Sequence, residues 1–245
     1  MNRRLALALF TVLAWIAAVA LANAPKPAGT VTEMTGRVEA KSGQEAPRAL
    51  SKGAPVFAQD VITTPSDKDK ASIAFADGSV LDIGPESAVA IKEFNFDEDH
   101  QENSRQSIGM GKGFFRFVTG KLVVQNPDNL KIESPLSVIG IRGTTTDHRI
   151  QTRQTTENGQ TVTEVTAELH SLRETKTHHE VIVESNGQKM VLDKPGQTAW
   201  VRPNLPGEVR ALSDEEMQDF GKATIERAPF DPPAENRLEG GGGAQ

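Results

Sequence analysis

The stretch that decides the fold is Ala71-Ser-Ile-Ala-Phe-Ala-Asp77-Gly78-Ser79-Val-Leu-Asp-Ile83. Two short apolar runs flank an Asp-Gly pair, which is typical of a β-hairpin because glycine adopts positive φ angles without a steric clash. Pro85 ends the second strand, since proline donates no hydrogen bond to a sheet. We predict a hairpin here, and we interpret Asp77, Gly78 and Ser79 as its turn rather than as part of a hydrolytic site.

Short alternating runs separated by Gly, Pro, Asp and Asn continue on both sides of this hairpin, from Thr30 to about Val201. Runs of this length and spacing are typical of an all-β protein. Asn186-Gly187 predicts a second hairpin turn. Further strands are predicted at residues 88–94, 114–118, 122–124, 130–132, 136–139, 161–166 and 167–177. The sequence therefore predicts a single β-sandwich or β-helix-like domain of many short strands over residues 29–201.

The C-terminal part has a different character. Ser213-Asp-Glu-Glu216 has the spacing of a capping box, which predicts a short helix from Asp214 to about Thr224. Residues 229–245 are rich in Pro, Gly and acidic residues, which is typical of a disordered tail. We therefore divide this part into an extension with a short helix, residues 202–228, and a tail, residues 229–245.

The N-terminus has the order of a secretory signal peptide: the positive start Met1–Arg4, an uncharged apolar run, and then small residues. Cleavage after Ala22 is favoured over cleavage after Ala24, because the latter would leave Pro25 next to the cut. This predicts a signal peptide at residues 1–22, a linker at residues 23–28, and a periplasmic or otherwise exported protein. The alternative is an uncleaved inner-membrane anchor, since the apolar run is at the short end of the roughly 17–25 residues that span a bilayer.

The charge and the cysteine content exclude several classes of function. Removal of Arg3 and Arg4 with the signal leaves 25 Lys and Arg against 33 Asp and Glu, a formal net charge of −8. A nucleic-acid partner would require a basic face, so no nucleic acid is expected. A membrane contact is expected only if the signal segment stays uncleaved. The chain has no cysteine, which excludes disulfides and thiolate metal sites.

An ordered series of motifs runs through residues 29–201 and carries a family likeness. The motifs are Gly36-Arg37-Val38, Leu50-Ser-Lys-Gly53, Asp60-Val-Ile-Thr63, Ala71 to Ser79, Ile83-Gly84-Pro85-Glu-Ser87, Gly113-Phe-Phe-Arg116-Phe-Val-Thr-Gly120, Ile132-Glu-Ser134-Pro135, Val138 to Thr144, and Val191 to Gln197. This series resembles the FecR domain family. The resemblance implies an extracytoplasmic β-rich module.

In the sigma-factor regulators of that family, such a module follows a cytoplasmic anti-sigma segment and one membrane span, and it relays the state of an outer-membrane receptor. Only Met1 to Arg4 precede the apolar run in this sequence. The expectation is therefore an exported FecR-like protein without the anti-sigma segment, for which direct transcriptional regulation is not expected.

The most distinctive cluster is Gly140, Arg142, Gly143 and Thr144. An arginine flanked by backbone N–H groups can hold a carboxylate. The favoured interpretation is structural: the glycines permit a strand crossing, and Arg142 pairs with an internal acidic residue.

Three other groups of residues do not favour a binding site. Asp97 to His100 lack the spacing of a calcium loop and are interpreted as a solvated acidic loop. Gly109 to Gly113 contain a lysine without a following Ser or Thr, so a bulge or turn is favoured over a phosphate cradle. His170, His178 and His179 lack the spacing of a zinc site. No catalytic, cofactor or metal site is predicted.

These features favour a non-catalytic module that binds a protein partner or a cell-envelope polymer, with β-augmentation at a strand edge as a candidate binding mode. A role in envelope signalling would fit the family resemblance. The alternatives are a small-molecule sensor with its ligand near Arg142 and a membrane-tethered structural or secretion accessory protein. The sequence does not predict an oligomeric state.

Overall fold

A computed structural model describes residues 25–157, 159–175 and 180–225. Within these ranges most of the regular secondary structure is strand, which confirms the all-β prediction. The strands are β1 (Gly29–Thr35), β2 (Glu39–Ser42), β3 (Arg48–Ala49), β4 (Pro55–Val56), β5 (Asp60–Thr64), β6 (Lys70–Phe75), β7 (Val80–Ile83), β8 (Ser87–Asn95), β9 (Arg105–Val118), β10 (Leu130–Glu133), β11 (Val138–Ile141), β12 (Thr144–Glu157), β13 (Gln160–Thr175), β14 (Val181–Ser185), β15 (Gln188–Leu192), β16 (Gln197–Val201) and β17 (Glu208–Ala211). The helices are α1 (Lys121–Gln125) and α2 (Asp214–Ala223), with 3₁₀ turns at Gln101–Asn103 and Pro127–Asn129.

The strands form two sheets. The first sheet has the order β4, β1, β6, β7, the second half of β9, β12, β13, β16 and β17, and its pairs are antiparallel. The second sheet has the order β3, β2, β5, β8, the first half of β9, β10, β11, β14 and β15. Its β9–β10 pair is parallel and its other pairs are antiparallel.

Strand β9 belongs to both sheets. Residues 105–112 pair with β8 in the second sheet, and residues 113–118 pair with β12 in the first. The passage occurs at Gly113, whose φ of 100° lies outside the range that residues with a Cβ readily adopt. The pairing with β8 also shifts register next to Met110, so that Gly111 lies in a bulge. The glycine-rich stretch that superficially resembles a phosphate cradle is therefore a strand that changes sheets.

The hydrophobic core lies between the two sheets. The first sheet contributes fully buried residues that include Ile73, Leu81, Phe115 and Phe117, and the second contributes Ile62, Ile91, Ile108, Ile132 and Ile139. Each such side chain stabilises the fold by about 1.5–3 kcal/mol relative to leaving it in water. With no tyrosine in the chain, this core is filled by phenylalanine and aliphatic side chains.

Both predicted hairpin turns are confirmed. The Asp77–Ser79 turn has Gly78 at a φ of 82°, and Phe75 N donates to Ser79 O at 2.9 Å. Asn186 and Gly187 have φ values of 50° and 74°, as a two-residue turn between twisted strands requires. The predicted capping box of α2 is also present, with Ser213 and Glu216 each bonded to the other's backbone N–H.

The strand predicted at residues 122–124 is wrong, because these residues lie in α1. Gly120 packs so closely against the preceding hairpin that a Cβ at this position would lie 2.6 Å from Asp77 O. Lys121 N donates to the same carbonyl at 2.9 Å. The chain therefore turns inward and buries Leu122 and Val123, and this packing overrides the local preference of valine for strands.

Residues 151–180 carry the weakest secondary-structure signals in the sequence. Most of them lie in one long antiparallel pair of strands. Strands β12 and β13 pair from Thr144↔Thr175 to Glu157↔Gln160, so residues 167–175 are strand as predicted. The predicted signal peptide and the whole of the predicted tail lie outside the described residues. In the described ranges, no helix is long and apolar enough to cross a membrane.

Candidate functional site

A groove of about 500 Å³ opens at one end of the second sheet. One wall is the turn between β10 and β11, residues 134–138, which we call the groove turn. The other wall is the tip of the β14–β15 hairpin, residues 184–189. Ser185 Oγ donates to Leu136 O at 2.7 Å and joins the two walls.

Strand β15 forms the edge of the second sheet beside this groove. Its partner strand is β14, and Ser185↔Gln188 is the first pair after the two-residue turn. Bonded and non-bonded pairs alternate along an antiparallel ladder, so the N–H and C=O groups of Lys189 and Val191 point away from β14. No second strand pairs with them within the described part of the chain.

The outer face of the sheet next to this edge has an apolar strip beside the cross-strand pair Glu184↔Lys189. Val191 lies across from Ile182, which in turn lies across from Gly140 in β11. Val191 is 41% exposed and Val138 is 40% exposed, and a Cβ at Gly140 would contact nothing. The edge therefore combines outward backbone groups with an exposed apolar side chain at Val191, which is the combination that an added strand uses. Its first residue, Gln188, is bonded to Gly207 of the loop before β17.

A chain of buried polar side chains runs from the groove turn into the core. Glu168 Oε2 lies 3.2 Å from His170 Nε2, and His170 Nδ1 lies 3.0 Å from His148 Nδ1. His148 Nε2 lies 2.8 Å from Thr146 Oγ1. All four side chains are fully buried. The register of the β12–β13 pair creates this contact, because it places His148 directly across from His170.

Glu168 also holds the groove turn. Its Oε1 accepts from Leu136 N at 3.0 Å, and its Oε2 accepts from Ser134 Oγ at 2.7 Å and from Ser137 Oγ at 2.8 Å. Burial by itself would raise the pKa of this carboxyl group, but the hydrogen bond and charge of His170, followed by the two serine hydroxyls, outweigh burial and lower the pKa. One carboxylate of the first sheet thus anchors a turn of the second.

Burial, reinforced by the neighbouring His170, lowers the pKa of His148 well below its usual value, so this ring is neutral near pH 7. An ionised Glu168 only accepts, so His170 Nε2 carries a hydrogen. One hydrogen lies between the two Nδ1 atoms, and His148 Nε2 is bonded to the Thr146 hydroxyl.

The cluster predicted at Gly140 to Thr144 lies partly apart from the groove. Gly140 belongs to the exposed face, whereas Arg142 lies past the far end of β11 and forms an ion pair with Glu180 at 3.4 Å. Arg142 N donates to Glu180 O, Gly143 has a φ of 65°, and Thr144 is buried. The structure does not bring these four residues together around one space.

The acidic loop is organised around Asp97, whose Oδ1 accepts from Asp99 N and His100 N, both at 3.0 Å. These contacts, chiefly the hydrogen bond from His100 N, lower the pKa of Asp97. Glu98 pairs with Lys121 at 2.7 Å. The residues with assigned positions include no cluster of three or more metal-ligating side chains. His178 and His179 lie outside the described residues.

Sequence reasoning missed His148 and Glu168. The one available signal was strand parity, since Glu168 and His170 alternate along β13 and therefore face the same side. The same parity gave no reason to place His148 across from His170, because that contact depends on the register shift between Gln151 and Thr152.

The fold and the groove define a two-sheet β module with an unpaired strand edge. Residues 60–168 match the model of the FecR family, described as FecR protein, and this match confirms the resemblance seen in the sequence motifs. The match begins at β5 and ends at Glu168, so it includes His148 and Glu168 of the buried chain but not His170. No curated protein sequence matches the chain.

Among solved structures, the chain is similar to two crystal structures of a "putative anti-sigma factor" from Parabacteroides distasonis, at 1.65 and 2.50 Å resolution. Each has 12% sequence identity and a TM-score of 0.45. Each alignment covers 64% of this chain and 62% of the other, so it spans less than two thirds of the P. distasonis protein.

Proposed function

We propose that this protein is an extracytoplasmic envelope-signalling module that binds a protein partner by adding an extended segment of that partner to the edge of β15. The FecR-family match supports the signalling role. The single observation that carries the proposed binding mode is the unpaired edge at Lys189 and Val191 beside an uncovered apolar face. Backbone hydrogen bonds at a sheet edge supply affinity, and the flanking side chains select the partner.

The chemistry of the edge defines the partner segment. Val191 and Ile182 offer an apolar surface, so the segment carries an apolar side chain where it crosses Val191. Lys189 stands two residues away on the same face, so an acidic side chain two positions from the apolar one would complete the match. The proposed partner is thus an extended segment in which apolar and acidic residues share one face.

The protein acts by contact rather than by catalysis in this proposal. The one described place where two histidines and a carboxylate meet is the buried chain, and its side chains have no exposed surface that could touch a substrate. Export is supported by the signal-like order of the first 22 residues. N-terminal sequencing of the exported protein tests this part: a start at Asn23 supports cleavage, and an intact Met1 contradicts it.

A single proline substitution tests the binding mode. Val191→Pro removes the outward N–H and leaves the pairing with β14 intact, since proline is tolerated at an edge position whose N–H faces solvent. Val191→Thr keeps the N–H and the strand preference and serves as the matched control. Capture from envelope extracts should yield a partner that binds the wild type and Val191→Thr but not Val191→Pro.

The captured partner must also protect the Val191 amide from hydrogen exchange when it is added in purified form. Equal binding by the wild type and the proline variant would contradict strand addition at this edge. Loss of binding by Val191→Thr as well would mean that the side chain, and not the backbone, carries the contact.

A further inference from the structure

The segment that would complete the edge of β15 is present in β15 itself. The edge requires an apolar side chain across from Val191 and an acidic side chain two positions away on the same face. Val191 is followed two positions later by Asp193, and residues two apart along a strand face the same side. Together with Lys189, these side chains form an exposed row that reads basic, apolar, acidic. A row of this kind is complementary to its own reverse.

Two copies of β15 can pair antiparallel about a two-fold axis at Val191. Val191 then lies across from Val191 of the second copy, and Lys189 of each copy lies across from Asp193 of the other. Side chains directly opposite each other on an antiparallel pair have Cβ atoms about 5 Å apart, so the apolar contact and both ion pairs are within reach. A two-fold axis at Met190 would place Lys189 across from Val191 and lose all of these contacts. The charges therefore select one register.

The backbone groups of the edge fit this register. The N–H and C=O of Val191 point away from β14. The two residues of a hydrogen-bonded antiparallel pair exchange both N–H···O bonds, so each Val191 donates to the other. At each end of the ladder, the outward N–H of Lys189 faces the C=O of Asp193. Asp193 N already donates to Gln197 Oε1 at 2.8 Å, so the ladder ends at this residue.

Apolar residues meet on both faces of the joined sheet. On the outer face, Gly140, Ile182 and Val191 lie side by side in neighbouring strands. Pairing joins this strip to that of the second copy and covers Val191, which is 41% exposed in the single chain. On the inner face, Met190 lies across from Leu192 of the second copy, and both residues belong to the hydrophobic core. Removal of apolar surface from water therefore adds to the backbone hydrogen bonds.

We propose that a second copy of this chain pairs with β15, antiparallel and symmetric about Val191, so that the second sheets of two copies form one continuous sheet. The proposal rests on the proposed function, because it uses the same edge and the same strand addition. A ladder of this length is a short contact, so the dimer is weak and reversible. Self-association and the binding of another partner then compete for one edge.

Charge reversal on each side of the ladder tests the register. Lys189→Glu places two acidic side chains opposite each other, and Asp193→Lys places two basic ones. Each variant by itself should associate about tenfold more weakly than the wild type, or less, because like charges directly opposite each other are destabilising. An equimolar mixture of the two variants should associate about as well as the wild type. In the mixed pair each introduced charge meets its opposite, and the remaining Lys189 and Asp193 meet each other.

Sedimentation equilibrium of the purified exported protein at up to about 1 mM measures the association. The molar mass of the wild type should rise toward twice that of one chain. Lys52→Glu makes the same charge change at another exposed position and should associate like the wild type. By hydrogen exchange, the Val191 amide should gain protection as the wild-type concentration rises. The Met190 amide, which is bonded to β14, should not change. If a charge variant does not fold, these wild-type measurements still decide the question.

A wild type that stays a single chain up to about 1 mM would overturn the dimer. Association that both charge variants retain, or a mixture of the two that does not associate, would overturn it as well. All of these measurements use this protein alone. A single-chain wild type whose captured partner still requires the Val191 N–H would leave the proposed function standing, so the two failures are distinguishable.

Discussion

Gly113 passes so close to Ser87 that a Cβ on the glycine would lie 2.6 Å from Ser87 Cα. Ser87 Oγ accepts a hydrogen bond from Phe114 N at 3.0 Å, immediately after the glycine. This contact fixes the place where β9 leaves the second sheet and joins the first. The passage therefore requires both the missing side chain at residue 113 and its positive φ.

Gly113→Ala should destabilise the protein strongly. The substitution combines an unfavourable φ, which costs about 1 kcal/mol, with a clash against backbone, and we expect a total of more than about 3 kcal/mol. Gly187→Ala is the matched control, because Gly187 also has a positive φ but open space around its Cβ position. It should cost only about 1 kcal/mol. Urea denaturation of both variants checks the difference, and equal losses would contradict a steric role for Ser87.

Asp147→Asn should also be costly. Asp147 is buried, and its carboxylate accepts hydrogen bonds from Arg116 Nε at 2.7 Å and from Arg173 Nη1 at 3.0 Å. Loss of its charge leaves the largely buried Arg116 guanidinium poorly compensated, at a cost of about 2–4 kcal/mol. Glu164→Gln breaks the exposed pair with Arg153 and should change the free energy of unfolding by less than about 0.5 kcal/mol. Chemical denaturation measures the free energy of unfolding of both variants. Similar losses would contradict the expectation that the buried ion pair contributes more than the exposed one.

Leu122→Ala tests the helix that replaces the predicted strand. Leu122 is fully buried in α1, so truncation should leave a cavity and cost about 2–5 kcal/mol. Leu205→Ala, at an exposed position, should stay within about 0.5 kcal/mol of the wild type. Thermal unfolding by circular dichroism measures both, and a small effect at Leu122 would indicate that α1 does not close the core.

The cap of α2 should make stability depend on pH. The Arg210 guanidinium, followed by the Ser213 backbone and hydroxyl groups, outweighs burial and lowers the pKa of Glu216 to about 2. A carboxyl group whose folded pKa lies below its unfolded value of 4.5 stabilises the fold fully above that value. The contribution, about 1–2 kcal/mol, should be lost as the pH falls from about 4.5 to 2.

Thermal unfolding of the wild type and Glu216→Gln across this pH range measures the effect. The wild type should be the more stable protein at neutral pH, and the two curves should converge near pH 2. A difference in stability that stays constant at all pH values would show that Glu216→Gln acts through packing and not through the lost charge.

Local sequence signals predicted the elements that local chemistry determines. The Asp77–Ser79 and Asn186–Gly187 turns depend on glycine conformations, and the α2 cap depends on Ser213 and Glu216, so each could be recognised within a few residues. The helix at Leu122 could not, because its conformation is set by contact with a turn more than forty residues earlier in the chain.

The candidate site was still less accessible to sequence reasoning. The groove joins residues 134–138 to residues 184–189, and the two histidines meet through the pairing of two long strands. One shift in this pairing lies between Gln151 and Thr152, on the hairpin side of His148, and without it His148 would lie across from Leu169 instead of His170. Such contacts depend on tertiary packing, which alternation along a single strand does not specify.

The sharing of β9 has a mechanical consequence. A force applied at the β15 edge of the second sheet passes through β14, β11 and β10 into β9, and from there along a continuous backbone into the first sheet. The sheets cannot slide past each other without stretching covalent bonds or breaking the β9 ladders. A partner that pulls on this edge therefore transmits force to both sheets together. We expect the domain to unfold under force in a single event.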